Sequence, residues 1–123
     1  MLNSGDSMLK KVLAEHGYNE EQIDYIYDKI SISSEKENII IENLKKNFQI
    51  FQDIGYSNDE IIKMTLDHPQ LIRIKCETIE QVVAFLKKQG HKIDSIINMG
   101  LDNPRIFGYT TNNFEKTNSY LKE

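Results

Sequence analysis

The sequence predicts an all-α protein, a short α-solenoid of two and a half to three helical repeats in one domain spanning residues 1–123. Three observations predict it. The chain repeats itself at an offset of 35 residues: Gly55 falls on Gly90, Asp59 on Asp94, Ile61-Ile62 on Ile96-Ile97, Met64 on Met99, Leu66-Asp67 on Leu101-Asp102, Pro69 on Pro104, Glu80 on Glu115 and Leu86 on Leu121. Self-similarity at a period in the thirties marks stacked-repeat architectures. Apolar residues recur at i, i+3, i+4 throughout, with no sustained alternation that would mark a strand. Glycine and X-Pro punctuate these stretches at matching places, where a helix would end. The repeats run over about residues 9–50, 51–85 and 86–122.

The first helix is expected from about Ser7 to His16, with Leu9, Val12, Leu13 and His16 on one face, Asp6 or Ser7 as cap, and Gly17 as terminator. Asn19 caps a second helix from Glu20 to Ile30, burying Ile23, Ile26, Tyr27 and Ile30. Ser34 and Glu37 have capping-box spacing before a long third helix, about residues 35–53, lined by Ile40, Ile41, Leu44, Phe48 and Phe51 and ended by Gly55. Tyr56 stands at the position whose side chain often packs back on such a helix end. Ser57 and Glu60 form the next capping box, opening a fourth helix to Asp67 with Ile61, Met64 and Leu66 inward. Pro69–Ile72 reads as one short helical turn with proline first. A fifth helix from Cys76 to about Gln89 carries the stripe Ile79, Val82, Val83, Leu86 and stops at Gly90. A sixth, about Lys92–Asp102, is expected to turn Ile93, Ile96, Ile97 and Leu101 inward; a second short turn follows at Pro104–Phe107. Thr110 or Thr111 would cap a last helix to about Leu121, with Phe114 and Leu121 inward. The first repeat matches the second at an offset of 38, through Leu13, Gly17, Tyr18 and Ile23 against Phe51, Gly55, Tyr56 and Ile61. It lacks the repeat proline, as suits an end repeat with a solvated outer face.

Composition narrows the functional classes. No apolar run approaches the roughly 20 residues of a membrane span. The opening MLNSGDSMLKK lacks the basic and apolar regions of a secretion signal, and Cys76 stands alone, so a reducing, cytoplasmic setting is expected, without membrane association. The net charge of −4 is unevenly spread: residues 1–44 carry four Lys/Arg against nine Asp/Glu, and residues 45–123 eleven against ten. No phosphate-loop glycine pattern and no HxxxH or CxxC spacing occurs, so no cofactor, metal site or enzymatic constellation is expected. His16, His68 and His91 occupy unlike places in the repeat. Cys76 stands at a helix start, where the dipole can lower a thiol pKa, yet no base is placed beside it.

The repeating pattern is helix, glycine, aromatic or His, polar cap, short helix, X-Pro, two apolar residues, further helix. It reads FQDIGYSNDEIIKMTLDHPQLIRIKCETIEQVVAFL and then LKKQGHKIDSIINMGLDNPRIFGYTTNNFEKTNSYL. This resembles the mitochondrial transcription termination factor (mTERF) family, over residues 50–121 and more loosely over 9–49. Leu86, Gly55/Gly90, Ile61/Ile96, Met64/Met99 and Pro69/Pro104 with the apolar pairs after them carry the resemblance. It implies a curved α-solenoid that binds double-stranded DNA or RNA on a basic, concave side. The Ile, Asn and Lys richness looks like that of an AT-rich bacterial or phage genome.

Two binding surfaces follow. Lys63, Arg73, Lys75, Lys87, Lys88, Lys92 and Arg105 lie at or near the repeat prolines and glycines of the second and third repeats, and on one face they would suit phosphates. The alternative is a protein-binding regulator or inhibitor. It would dock on a basic partner through the acidic run Glu15, Glu20, Glu21, Asp24 and Asp28, or use Phe114, Tyr120 and Leu121 at an apolar C-terminal end, which also offers a dimer surface in place of a monomer.

Overall fold

The computed structural model describes residues 8–30 and 37–108. They form α1 (Met8–Glu15), α2 (Glu20–Ile30), α3 (Glu37–Ile54), α4 (Asn58–Asp67), a first 3-10 turn (Pro69–Ile72), α5 (Cys76–Lys88), α6 (Ile93–Asp102) and a second 3-10 turn (Pro104–Gly108), with no strand among them. The expected Ser7 and Ser34 caps and the last helix, with Phe114, Tyr120 and Leu121, lie outside the described residues.

The elements stack in rows. Helices α1, α3 and α5 pack side by side, and α2, α4 and α6 make a second row. The two 3-10 turns touch each other; the first also packs on α2, α3 and α4, the second on α4, α5 and α6. Each turn drives apolar residues between the rows: Leu71, Ile72, Ile106 and Phe107 are all buried. Full burial of such a side chain contributes about 1.5–3 kcal/mol, so each four- or five-residue turn works as a peg rather than a loop.

The helix ends follow from local chemistry. Ser57 accepts from the Glu60 amide while the Glu60 carboxylate accepts from the Ser57 amide, the reciprocal box expected there. Asn19 and Gln22 exchange the same pair of bonds at the start of α2. At the C-terminal ends, Tyr18, Tyr56 and His91 donate their backbone amides to the carbonyls of Leu13, Phe51 and Leu86, five residues back. That closure needs a left-handed residue between, and Gly17, Gly55 and Gly90 have φ of +104°, +130° and +100°.

These glycines also aim the residue that follows. Tyr18 and Tyr56 are both buried. The Tyr18 hydroxyl lies 2.6 Å from Thr65 Oγ1 on α4, which itself donates to Ile62 O at 2.8 Å, so Tyr18 is the donor of that pair. One repeat on, the Tyr56 hydroxyl is 2.9 Å from Ile97 O and 3.2 Å from Ile96 O on α6. Burial pushes both phenols well above their ordinary range, with Glu60 adding to the effect at Tyr56. Each tyrosine is thus a latch from the end of a first-row helix, α1 or α3, to the second-row helix of the next repeat, α4 or α6. Gly100 makes room for the second latch: a Cβ there would overlap the Tyr56 hydroxyl and sit 2.5 Å from Phe107 Cε2.

Two expectations are corrected. Ile93 is exposed, because it is the first residue of α6 and sits at the mouth of a groove rather than on the packed face. The Cys76 thiol is pushed up, not down: burial leads, and the Glu77 carboxylate beside it adds to the shift. His16 and Tyr27 are half-buried; the His16 ring donates from Nδ1 to Val12 O (2.8 Å) and packs edge-on against Phe48.

Candidate nucleic-acid interface

All seven cations singled out in the sequence are exposed: Lys63, Arg73, Lys75, Lys87, Lys88, Lys92 and Arg105. The structure places them in three groups.

The first group surrounds the 3-10 turns. After the buried pair Leu71-Ile72 the chain alternates, Arg73 out, Ile74 half-buried, Lys75 out, and then enters α5. This short segment is held by α3. Asn47, 2% exposed, donates its amide to Leu71 O and Ile74 O, each at 2.9 Å, and Asn43 donates to Arg73 O at 3.3 Å. With those carbonyls held by α3, the side chains of Arg73 and Lys75 face solvent. Arg73 also donates to Ile30 O at 3.1 Å, at the C-terminal end of α2, where a cation is favoured. A guanidinium has five N–H donors, so this bond leaves it able to bind further. Arg105 projects from the second turn between buried Pro104 and buried Ile106. Its charge is felt at His68, whose imidazole is pushed below its ordinary value first by burial and then by Arg105.

The second group surrounds the Gly90 turn. Lys87 and Lys88 end α5 and Lys92 precedes the first residue of α6. At 1.5 Å per residue, α5 separates Lys87 from Lys75 by about 18 Å. Lys87 also borders a groove of about 610 Å³ between α3 and α5, floored by Ile50, Ile54, Val83 and Ala84 and edged by Asp53, Glu80 and Ile93. One repeat earlier Phe48 stands in the place of Val83, and its ring fills the joint against His16 at 4.6 Å. The second joint carries the smaller side chain at this place.

Lys63 is by itself. It lines the opposite groove, between α2 and α4, and pairs with Asp67 at 3.6 Å. Among the described residues it is the one member of the seven in an ion pair within 4 Å.

One cation was missed. Lys46, exposed on α3 between Asn43 and Asn47, is close enough to the start of α5 for its charge to act on Cys76 and Glu77. The sequence holds a signal for it: Asn47 interrupts the apolar stripe of Leu44, Phe48 and Phe51, which marks a buried polar contact with another segment and places its neighbour beside that segment.

The acidic residues Glu15, Glu20, Glu21, Asp24 and Asp28 are exposed, with Asp24 3.8 Å from Lys10. At the offset of 38, Asp24 and Asp28 take the places of Ile62 and Leu66, which on α4 line the groove toward the preceding repeat. Charge at these places solvates the outer side of α2. Among the described residues no three His, Cys, Asp or Glu side chains are grouped to hold a metal ion, and no helix is long and apolar enough to cross a membrane.

The family model for mTERF matches residues 13–123, and that family is one of nucleic-acid-binding proteins. No curated protein and no solved structure matched the chain. The match takes in both repeat prolines, all three helix-ending glycines and the two tyrosine latches, and by it the chain belongs to the mTERF family.

Proposed function

We propose that the protein is a non-enzymatic binding module that contacts the phosphates of DNA or RNA through Lys63, Arg73, Lys75, Lys87, Lys88, Lys92 and Arg105. The observation that carries this is their exposure: in a member of a nucleic-acid-binding family, all seven present their charge to solvent, and six of them form no ion pair among the described residues. Fixed cations at the turns displace counterions from a phosphate backbone and set its register. With only Arg73 and Arg105 offering the bidentate fork, the surface supports backbone contact more than base reading.

Binding to duplex DNA, duplex RNA and single strands, titrated over salt, tests the reading. Affinity should be measurable at low salt and fall steeply as salt rises. Reversal of three charges, R73E/K75E/R105E, in a protein that keeps its helical circular dichroism, should weaken binding on every sequence alike. Undiminished affinity in that variant removes these residues from the site.

A further inference from the structure

Two asparagines on α3 hold the backbone that presents Arg73 and Lys75, and two lysines stand between them in the sequence. Asn43 is bonded to Arg73 O, and Asn47 to Leu71 O and Ile74 O. Lys46 is one residue before Asn47 and three after Asn43, so it leaves the helix at the level of this contact, and it is exposed. Its charge acts on both Cys76 and Glu77, the first two residues of α5. Lys45 goes the other way. It aligns with Glu80, which borders the groove toward the preceding long helix, so Lys45 faces α1.

We propose that Lys46, Arg73 and Lys75 form one phosphodiester-contacting site built across two repeats, with Lys46 contributed by the long helix of the second and the other two by the segment that opens the third. This rests on the nucleic-acid reading above and goes beyond it by adding a residue and fixing which cations act together. The site is braced from beneath rather than assembled from mobile side chains on a loop. The Asn43 and Asn47 bonds fix the spacing between the α3 lysine and the 73–75 backbone, and Arg73 is anchored again at Ile30 O. A backbone phosphate meeting this surface finds cations on either side of the α3–α5 junction. Glu77, exposed beside them, is a carboxylate on which both Lys46 and Lys75 act, and a bound phosphate competes with it for these lysines.

The experiment compares K46Q, K45Q and K75Q by the slope of log affinity against log salt, on one duplex DNA and one duplex RNA. Each phosphate contact to B-DNA contributes about 0.9 to that slope. K46Q and K75Q should each lower it by about that amount, which makes the variant lose about 3.5-fold less affinity than the wild type between 50 and 200 mM salt. K45Q should keep the wild-type slope. All three sites are exposed, so the fold is not at stake. A K46Q slope equal to wild type while K75Q falls would overturn the shared site and leave the broader reading standing. Wild-type protein that binds neither duplex at low salt would refute the nucleic-acid reading itself, and the site with it.

Discussion

Replacing Gly100 by alanine should destabilise the protein, although alanine is the better helix former. Gly100 is interior to α6 and buried, where the exchange on propensity alone gains about 1 kcal/mol. The new methyl, however, overlaps the Tyr56 hydroxyl and lies 2.5 and 2.9 Å from Cε2 and Cζ of Phe107. Tyr56 and Phe107 are 3% and 0% exposed and pack edge-to-face on each other and on Phe51, so neither ring can step aside. Forcing a methyl into such a core costs about 1–3 kcal/mol. Pushing the hydroxyl off Ile96 O and Ile97 O leaves it buried without a partner, a further cost of about 1–3 kcal/mol. The net loss is about 1–5 kcal/mol. Urea unfolding followed by far-ultraviolet circular dichroism measures it, provided the m value holds. Y56F/G100A completes a double-mutant cycle: with the hydroxyl gone, part of the overlap disappears, and the two changes should cost less together than the sum of each alone. G100A at or above wild-type stability would refute the latch argument.

Two further outcomes follow from the same structure. Asn47→Asp should cost about 3 kcal/mol or more at pH 7, because a buried carboxylate would face the carbonyls of Leu71 and Ile74 with no proton to give. Burial raises the pKa of that aspartate in the folded state, so its penalty should shrink as pH falls toward the ordinary carboxylate range, and thermal melts at pH 4 and 7 that show an equal penalty would count against it. His68 has a lowered pKa in the folded state, so its contribution to stability is complete above about pH 6.5, the unfolded value, and is lost as pH falls through that value toward the folded one. A proton-NMR titration should find His68 below 6.5 in the wild type and moved upward in R105Q; an ordinary wild-type value would remove both burial and Arg105 as causes.

Much of the architecture was legible because the chain writes each boundary twice. Gly17, Gly55 and Gly90 ended helices as expected, Ser57 with Glu60 opened one, and both prolines opened 3-10 turns, since these are local events decided by a few neighbouring residues. Less legible was what depends on a partner from another repeat. The i, i+3, i+4 spacing with Ile96 and Ile97 argued for a buried Ile93, but the first residue of a helix faces whatever precedes it, here an open groove. The dipole argument for Cys76 was sound as far as it went and lost to burial and to Glu77 next door. Asn47 and Lys46 were overlooked because their roles lie 24 to 31 residues away in sequence, across a repeat boundary, and a glycine inside a helix gave no hint that Gly100 houses a tyrosine hydroxyl. The seven cations could be picked out individually; that they divide among three places is a property of the stack.

The two latches make this array an ordered set rather than a string of interchangeable parts. Tyr18 is read by a hydroxyl on the following short helix, and Tyr56 by bare helix carbonyls above a glycine. The receiving positions, Thr65 and Gly100, correspond at the offset of 35, yet neither substitutes for the other: threonine at 100 would bring a larger side chain to a place that already refuses a methyl. Each repeat therefore carries a key cut for its own successor, and shuffling or duplicating repeats would fail at the joint before it failed in any helix.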